Sequence, residues 1–250
     1  MKILLLLLSF NAQAQSEWQF NDYKNEYAKL FPATEAREER SIQGVKLAGS
    51  AKELEALEQI VGQDAPGLWA QKAITCKQVL CALGAVLGGE EAAKRSLNIY
   101  ARTGHVLSMD QKWVSRSRKM TYNPRTGDYE TDYFSGERVW SLEEIRVVDD
   151  VLHLLPAKFH HIKNQKKMYV LERGHFIVQD ERRILTKPPE FTAYTINALY
   201  RGQDLKEEGS MVFFPSYLPM GRNQEAYIMV AHELAHALDL ADSYPQGKRL

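Results

Sequence analysis

The stretch Asn223 to Ala241, NQEAYIMVAHELAHALDLA, constrains this chain more than any other. Asn223 is a good helix N-cap, and the residues after it are apolar on nearly every face, the pattern of a buried helix. The interruptions in the middle are His232, Glu233 and His236, spaced HExxH. Helix positions four apart project from one face, so both imidazoles can reach a single ion, with Glu233 beside them to handle a metal-bound water. A chance HExxH in a chain of this composition has odds on the order of one in a hundred, so context has to decide. Charged and imidazole side chains inside an apolar helix are costly unless compensated, and a zinc ion with its water is a good compensator. This favours Zn2+ bound by His232 and His236, with Glu233 as the catalytic group, over an accidental histidine pair on a structural helix.

The 250 residues, 44% of them hydrophobic, are enough for a real core. Lys and Arg total 32 against 32 Asp and Glu, which gives no electrostatic reason to expect nucleic acid or an anionic membrane as partner. Residues 1–14 read as a secretory signal peptide: Lys2, the apolar run Ile3 to Leu8, then small residues at Ala12 and Ala14, with cleavage expected after Ala14. The leader has a bacterial look, which points to the periplasm or the medium. Its apolar core is too short to span a bilayer, and no later segment approaches ~18 apolar residues, so no stable membrane insertion is expected. Cys76 and Cys81 are compatible with a disulfide in an exported protein only if a turn falls between Lys77 and Leu80; two small buried thiols are the alternative.

Residues 15–104 read as a mainly helical region. EAREER and AKELEALEQIVG are expected helices, FPATEA and LAGSAK breaks, and the part up to Gly62 is expected to be only loosely core-forming. From Pro66, the residues Leu68, Trp69, Ile74, Val79, Leu80, Leu83, Val86 and Leu87 recur near helical spacing. Gly88-Gly89 interrupts, and EEAAKRSLNIYAR begins another helix that ends at Thr103-Gly104. Residues 105–140 read as a loop or hairpin linker, because TYNPRTGDYETDYFSGERVW mixes aromatics with turn residues. Residues 141–250 form the motif-bearing domain. Ser141 and Glu144 make a capping box before a helix whose Ile145, Val148, Leu152 and Leu155 form one stripe, closed by Pro156. KMYVLERG and HFIVQD read as strands, TAYTINALY is ambiguous, and Met211 to Phe214 reads as an edge strand stopped by Pro215. The fold class is α+β, with the buried HExxH helix against a small mixed sheet.

VAHELAHALD resembles the active-site helix of the zincin metallopeptidases. The order of helix, strands, MVFFP strand and HExxH helix is similar to the gluzincin branch, nearest to lethal-factor-like peptidase domains, over roughly Trp140 to Leu250. The resemblance implies hydrolysis of peptide bonds in a peptide or protein substrate. His232 and His236 would be zinc ligands, Glu233 the general base, and the Met211 to Phe214 strand a dock for extended substrate.

Gluzincins take a third ligand from a glutamate on a later helix, and no glutamate follows His236 in this sequence. Asp239 shares the histidine face and suits a hydrogen bond to a ligand's free ring N–H. Asp242 sits where metzincins place their third ligand and can serve if the helix breaks before Ser243, although Asp239 occupies the place of their glycine. His105, His153, His160, His161, His175 and Glu225 are upstream candidates that nothing in the sequence separates. A domain lacking its carboxy-terminal part is a further explanation, and a noncatalytic envelope or binding protein on a degenerate zincin scaffold is the rival to the exported peptidase.

Overall fold

The computed structural model describes residues 22–63, 67–110, 116–117, 121–123, 128–135, 139–157, 160, 167–170, 172–179, 182–186, 194–196, 210–213 and 224–243. Residues 1–14, Asn223 and the stretch after Ser243 lie outside them.

The first described element is helix α1 (Tyr23–Leu30), capped by Asp22, whose carboxylate accepts from the Asn25 N–H. Strands β1 (Arg37–Ile42) and β2 (Val45–Ser50) follow as an antiparallel hairpin. The EAREER segment is therefore largely strand, against the helix expected. The determinant is the turn: Gln43 and Gly44 have φ of 46° and 81°, the left-handed pair that closes a two-residue hairpin with the right twist. Pairing across that turn overrides the helix propensity of Glu and Arg. LAGSAK is likewise no simple break, since Leu47 to Ser50 belongs to β2.

Ser50 ends β2 and also caps α2 (Ala51–Val61), with Glu53 returning the bond in a full capping box. Leu54, Ala56, Leu57, Ile60 and Val61 are all completely buried, so this stretch is core-forming, contrary to expectation. Each of the four larger aliphatic side chains is worth about 2 kcal/mol of burial. Gly62 terminates α2 at φ 74°, where a Cβ would meet the Asp110 side chain at 2.6 Å, so glycine is required for both conformation and space.

Helices α3 (Gly67–Ala73), α4 (Val79–Leu87) and α5 (Glu90–Thr103) complete the amino-terminal half. Cys76 and Cys81 form a disulfide with a Cα–Cα distance of 5.6 Å; the chain reverses ahead of the expected place, in the break between Ala73 and Val79 with Gln78 extended, and Leu80 is already helical. Ile74, expected on the apolar stripe, lies in that break and is 71% exposed.

After Gly104 the chain enters β3 (Val106–Ser108), fully buried, which pairs in parallel with β7 (Lys167–Val170). The 105–140 stretch is thus no mere linker, because it supplies a strand to the central sheet. It also supplies β4 (Arg116–Ser117), β5 (Thr121–Asn123) and β6 (Asp128–Ser135); β5 and β6 form the anticipated hairpin. With β8 (Glu172–Gln179) and β9 (Arg182–Thr186) these make a five-stranded antiparallel sheet. The capping box of Ser141 and Glu144 opens α6 (Leu142–Leu154), and Ile145, Val148, Leu152 and Leu155 are buried as the stripe requires.

The second sheet is four-stranded and mixed, in the order β10 (Tyr194–Ile196), β11 (Ser210–Phe213), β7, β3. β11 is parallel to β7 and antiparallel to β10. The segment read as an edge strand is therefore internal, and β10, from the ambiguous TAYTINALY, takes the edge. β11 is described to Phe213, and Pro215 lies outside the described residues. Met168, Met211 and Phe213 of this sheet are fully buried, and Phe213 meets Trp140 edge-on at 6.0 Å. Helix α7 (Gln224–Ser243) packs on α6 and beside β10. The architecture is α+β, with one apolar cluster running from Phe31 to Leu234. No helix among the described residues is long and apolar enough to cross a membrane.

Candidate functional site

The HExxH residues lie on one unbroken helix, α7. Ala226, Tyr227, Met229, Val230, Ala231 and Leu234 are buried, while Ile228 and His232, four apart, are exposed. The helix is therefore buried on most of its circumference and open along one stripe. His232 lies on that stripe and Glu233 at 5% exposure lies inside, so two adjacent residues of the motif face different surroundings. His236 follows one turn on, about 40° around the helix from His232 at ~100° per residue. The side chains of Glu225, His236, Asp239 and Asp242 lie outside the described residues.

The backbone bears on the third-ligand candidates. Because α7 continues to Ser243, the break required ahead of Ser243 to free Asp242 is not found in the described chain. On such a helix Asp242 lies about 9 Å along the axis beyond His236 and about 80° around from His232, whereas Asp239 returns to within about 20° of His232. Upstream, His160 Nε2 is engaged with the Leu152 carbonyl at 2.8 Å. His175 sits on β8 opposite Asp132 and Thr186, His105 is fully buried after α5, and His161 lies outside the described residues.

His153 belongs to another cluster, which sequence reasoning missed. Glu26 of α1 and Asp149 and His153 of α6 bring ligand-type atoms within 4.8 Å of one another. The centre of this group already holds a cation. Arg102 of α5 donates to Glu26 through Nη1 and to Asp149 through Nη2 at 2.8 Å, and Arg95 Nη1 donates to Asp149 at 2.6 Å. A metal ion would have to displace or face two guanidinium groups, so the cluster works as an ion-pair junction of three helices.

Burial alone would raise the Asp149 carboxyl, but the hydrogen bond from His153 and the charge of Arg102 outweigh it and bring its pKa down to about 2. Burial opposes the charged form of His153 too; its contacts with Asp149 and Glu26 prevail and lift it to about 9. Its Nε2 is 2.9 Å from Arg102 Nη1 and 3.3 Å from Glu26 Oε1, and two carboxylates outweigh one guanidinium. The signal was present in sequence: Asp149 and His153 are four apart on α6, and Arg95 and Arg102 seven apart on α5, each pair on one helical face.

A polar tie also joins α6 to the motif helix, where the Tyr227 phenol donates to Asp150 Oδ2 at 2.9 Å. No family model, curated protein or solved structure matches this chain.

Proposed function

We propose that this chain is an exported zincin-type metallopeptidase that hydrolyses peptide bonds in peptide or protein substrates. The observation that carries the reading is the HExxH motif on a single helix that exposes His232, buries Glu233 and lies beside β10, the edge of a mixed sheet. Two imidazole donors one turn apart suit zinc in kind and spacing, and His232 and His236 would hold it, with Asp239 on their face of the helix suited to accept from a ligand's free ring N–H. Bound zinc supplies Lewis acidity toward the scissile carbonyl and brings the pKa of a water to about 7. Glu233 takes a proton from the attacking water and delivers it to the leaving amine. Its low exposure favours that work, since proton transfer is better controlled away from bulk solvent.

Extended substrate would add to the sheet along the outer edge of β10. This replaces the role first given to the Met211 to Phe214 strand, in which Met211 and Val212 are paired on both sides. The signal-peptide pattern supports export, and the Cys76–Cys81 disulfide suits an oxidising compartment.

The test is metal content and peptidase activity of the chain from Gln15 onward. About one zinc per chain, lost in His232→Ala and in His236→Ala, with Glu233→Gln retaining zinc but losing hydrolysis, is the expected set. Hydrolysis unchanged by Glu233→Gln would sink the mechanism. A noncatalytic protein on the same scaffold is the second reading. It predicts a folded chain that retains no zinc after dialysis.

A further inference from the structure

Helix α1 buries none of its side chains completely, and the chain first enters the apolar cluster at Phe31, just past the helix end. Tyr27 and Leu30 only lean on that cluster, half-buried. Helix α2, by contrast, is fixed by Leu54, Leu57, Ile60 and Val61, all completely buried.

What holds α1 is mostly polar. Asn98 Nδ2 of α5 donates to the Tyr23 carbonyl at 3.0 Å and to Glu26 at 3.1 Å, while Arg102 and His153 reach the other Glu26 oxygen. The Tyr27 phenol donates to Glu53 of α2, and Lys52 donates to the Leu30 carbonyl at 3.1 Å. The cations of Arg95 and Lys94 lie 4.8 and 5.2 Å from the Tyr23 and Tyr27 ring centres. Contacts of this kind are exchanged for water at a small net cost, whereas buried aliphatic surface has nothing to gain from water.

The partners on the body keep a second contact when α1 leaves. Arg102 retains Asp149 at 2.8 Å, and Arg95 retains both Asp149 and Glu91. Lys94 retains Glu90 at 2.6 Å, His153 Nδ1 the Asp149 carbonyl at 2.8 Å, and Glu53 the Ser50 N–H at 2.8 Å. Release therefore strands none of these charges, which is what makes the breaking of a buried pair expensive elsewhere. Docking also has a cost of its own. Asn98 Oδ1 and Arg102 Nε are buried with no hydrogen-bond partner among the described residues, and both side chains grip Glu26. Lifting α1 lets water reach the Asn98 amide and removes part of that cost. Among the described residues, Glu26 is the one α1 side chain that bonds to both α5 and α6.

We propose that α1 is a releasable strap that lifts as a unit from α5 and α6 about Phe31 while the rest of the fold stays closed, with the Glu26 carboxylate as its latch. Release uncovers the α5 face that carries Arg95, Asn98 and Arg102. An eight-residue helix has no stability of its own in water, so a lifted α1 melts and its amides exchange with solvent. The inference is independent of the zinc reading.

The test is native-state hydrogen exchange on the chain from Gln15 onward, read residue by residue, for wild type and Glu26→Gln. In wild type the Tyr27 to Leu30 amides are expected to share one protection factor. It should lie at least about 10-fold below that of the α2 core amides and be unaffected by ~1 M urea, because the opening exposes little surface. Glu26→Gln should lower the α1 factor by about 10-fold, the worth of a charge-assisted contact, and leave α2 within about twofold. Equal protection of α1 and α2 with the same urea dependence would mean that α1 opens only with the whole fold, and overturns the proposal. A gradient falling toward Tyr23 is end fraying and overturns it as well. Glu26→Gln leaving α1 protection unchanged, or lowering α1 and α2 alike, removes the latch and with it the proposal.

Discussion

Replacing Asp149 with asparagine tests the ion-pair junction most sharply, because the change keeps volume and removes charge. In the native protein this carboxylate is fully buried and accepts from Arg95 at 2.6 Å and Arg102 at 2.8 Å. Its pKa falls from an ordinary 3.8 to about 2, a difference worth about 2 to 3 kcal/mol of stability at neutral pH. Breaking a buried pair from one side costs about 3 to 5 kcal/mol, because the partner charge stays behind. Here Arg95, with only 3% of its side chain exposed, keeps Glu91 at 2.9 Å, so the lower end applies. The expected loss is about 3 kcal/mol, which for a chain of this size lowers Tm by about 6 to 12 °C.

The pH dependence gives a second, independent readout. A depressed carboxyl contributes stability above its unfolded pKa, and that contribution fades as pH falls from 3.8 to about 2. Asp149→Asn should flatten this acid limb as well as lower the plateau. Thermal melts by circular dichroism between pH 2 and 8 measure both. A Tm within 2 °C of wild type at pH 7 would falsify the claim that the junction carries stability.

Further outcomes follow from other parts of the fold. His153 is lifted to about 9, so its stabilisation is complete below its ordinary 6.5 and is lost as pH rises through 9; after solvent screening of a partly exposed ring this is about 1 kcal/mol. Melts of His153→Gln should show no such alkaline decline, and an unchanged decline would assign it to another group. Replacing both Cys76 and Cys81 with serine should cost about 2 kcal/mol by loop closure, measured by urea unfolding, and no change in midpoint would count against a stabilising bridge. Leu57→Ala, at a fully buried position of α2, should cost about 3 kcal/mol in the same assay, and a loss below 1 would place Leu57 outside the core.

What could be read from sequence was what local chemistry determines. Ser141 with Glu144 fixed the start of α6, Gly88-Gly89 and Gly104 bounded α5, and the turn residues of TYNPRTGDYETDYFSGERVW allowed a loop or a hairpin, of which β5 and β6 form the latter. What could not be read was set by distant partners. EAREER has helix propensity in every residue but pairs with β2, because Gln43 and Gly44 fold the chain back on itself. Met211 to Phe213 has the composition of either an edge or an inner strand, and only the placement of Tyr194 to Ile196 beside it decides. The motif itself was legible from its spacing, but its surroundings were not: an apolar pattern around the whole helix does not say which stripe stays open, and that stripe turned out to hold Ile228 with His232.

The amino-terminal helices are built into the motif-bearing half. Met109 donates its N–H to the Ile60 carbonyl at 2.7 Å, β3 supplies a buried edge to the sheet that contains β11, and Trp140 Nε1 reaches the Ser108 carbonyl at 3.3 Å. Arg95 and Arg102 of α5 hold Asp149 of α6, and the next residue, Asp150, accepts from Tyr227 of α7. A fragment beginning at residue 105 would strip Asp149 of both guanidinium partners and would expose Val106, Leu107, Ile145 and Val148, which are at most 2% exposed in the intact chain. At about 2 kcal/mol per aliphatic side chain, the four lost burials come to about 8 kcal/mol, comparable with the roughly 5–15 kcal/mol that separates a typical folded domain from its unfolded state. Residues 105–250 expressed alone should therefore show no cooperative thermal transition, while residues 15–250 show one transition that reports helices and sheets together. A folded, cooperatively melting 105–250 fragment would refute this argument and restore a division of the chain before β3.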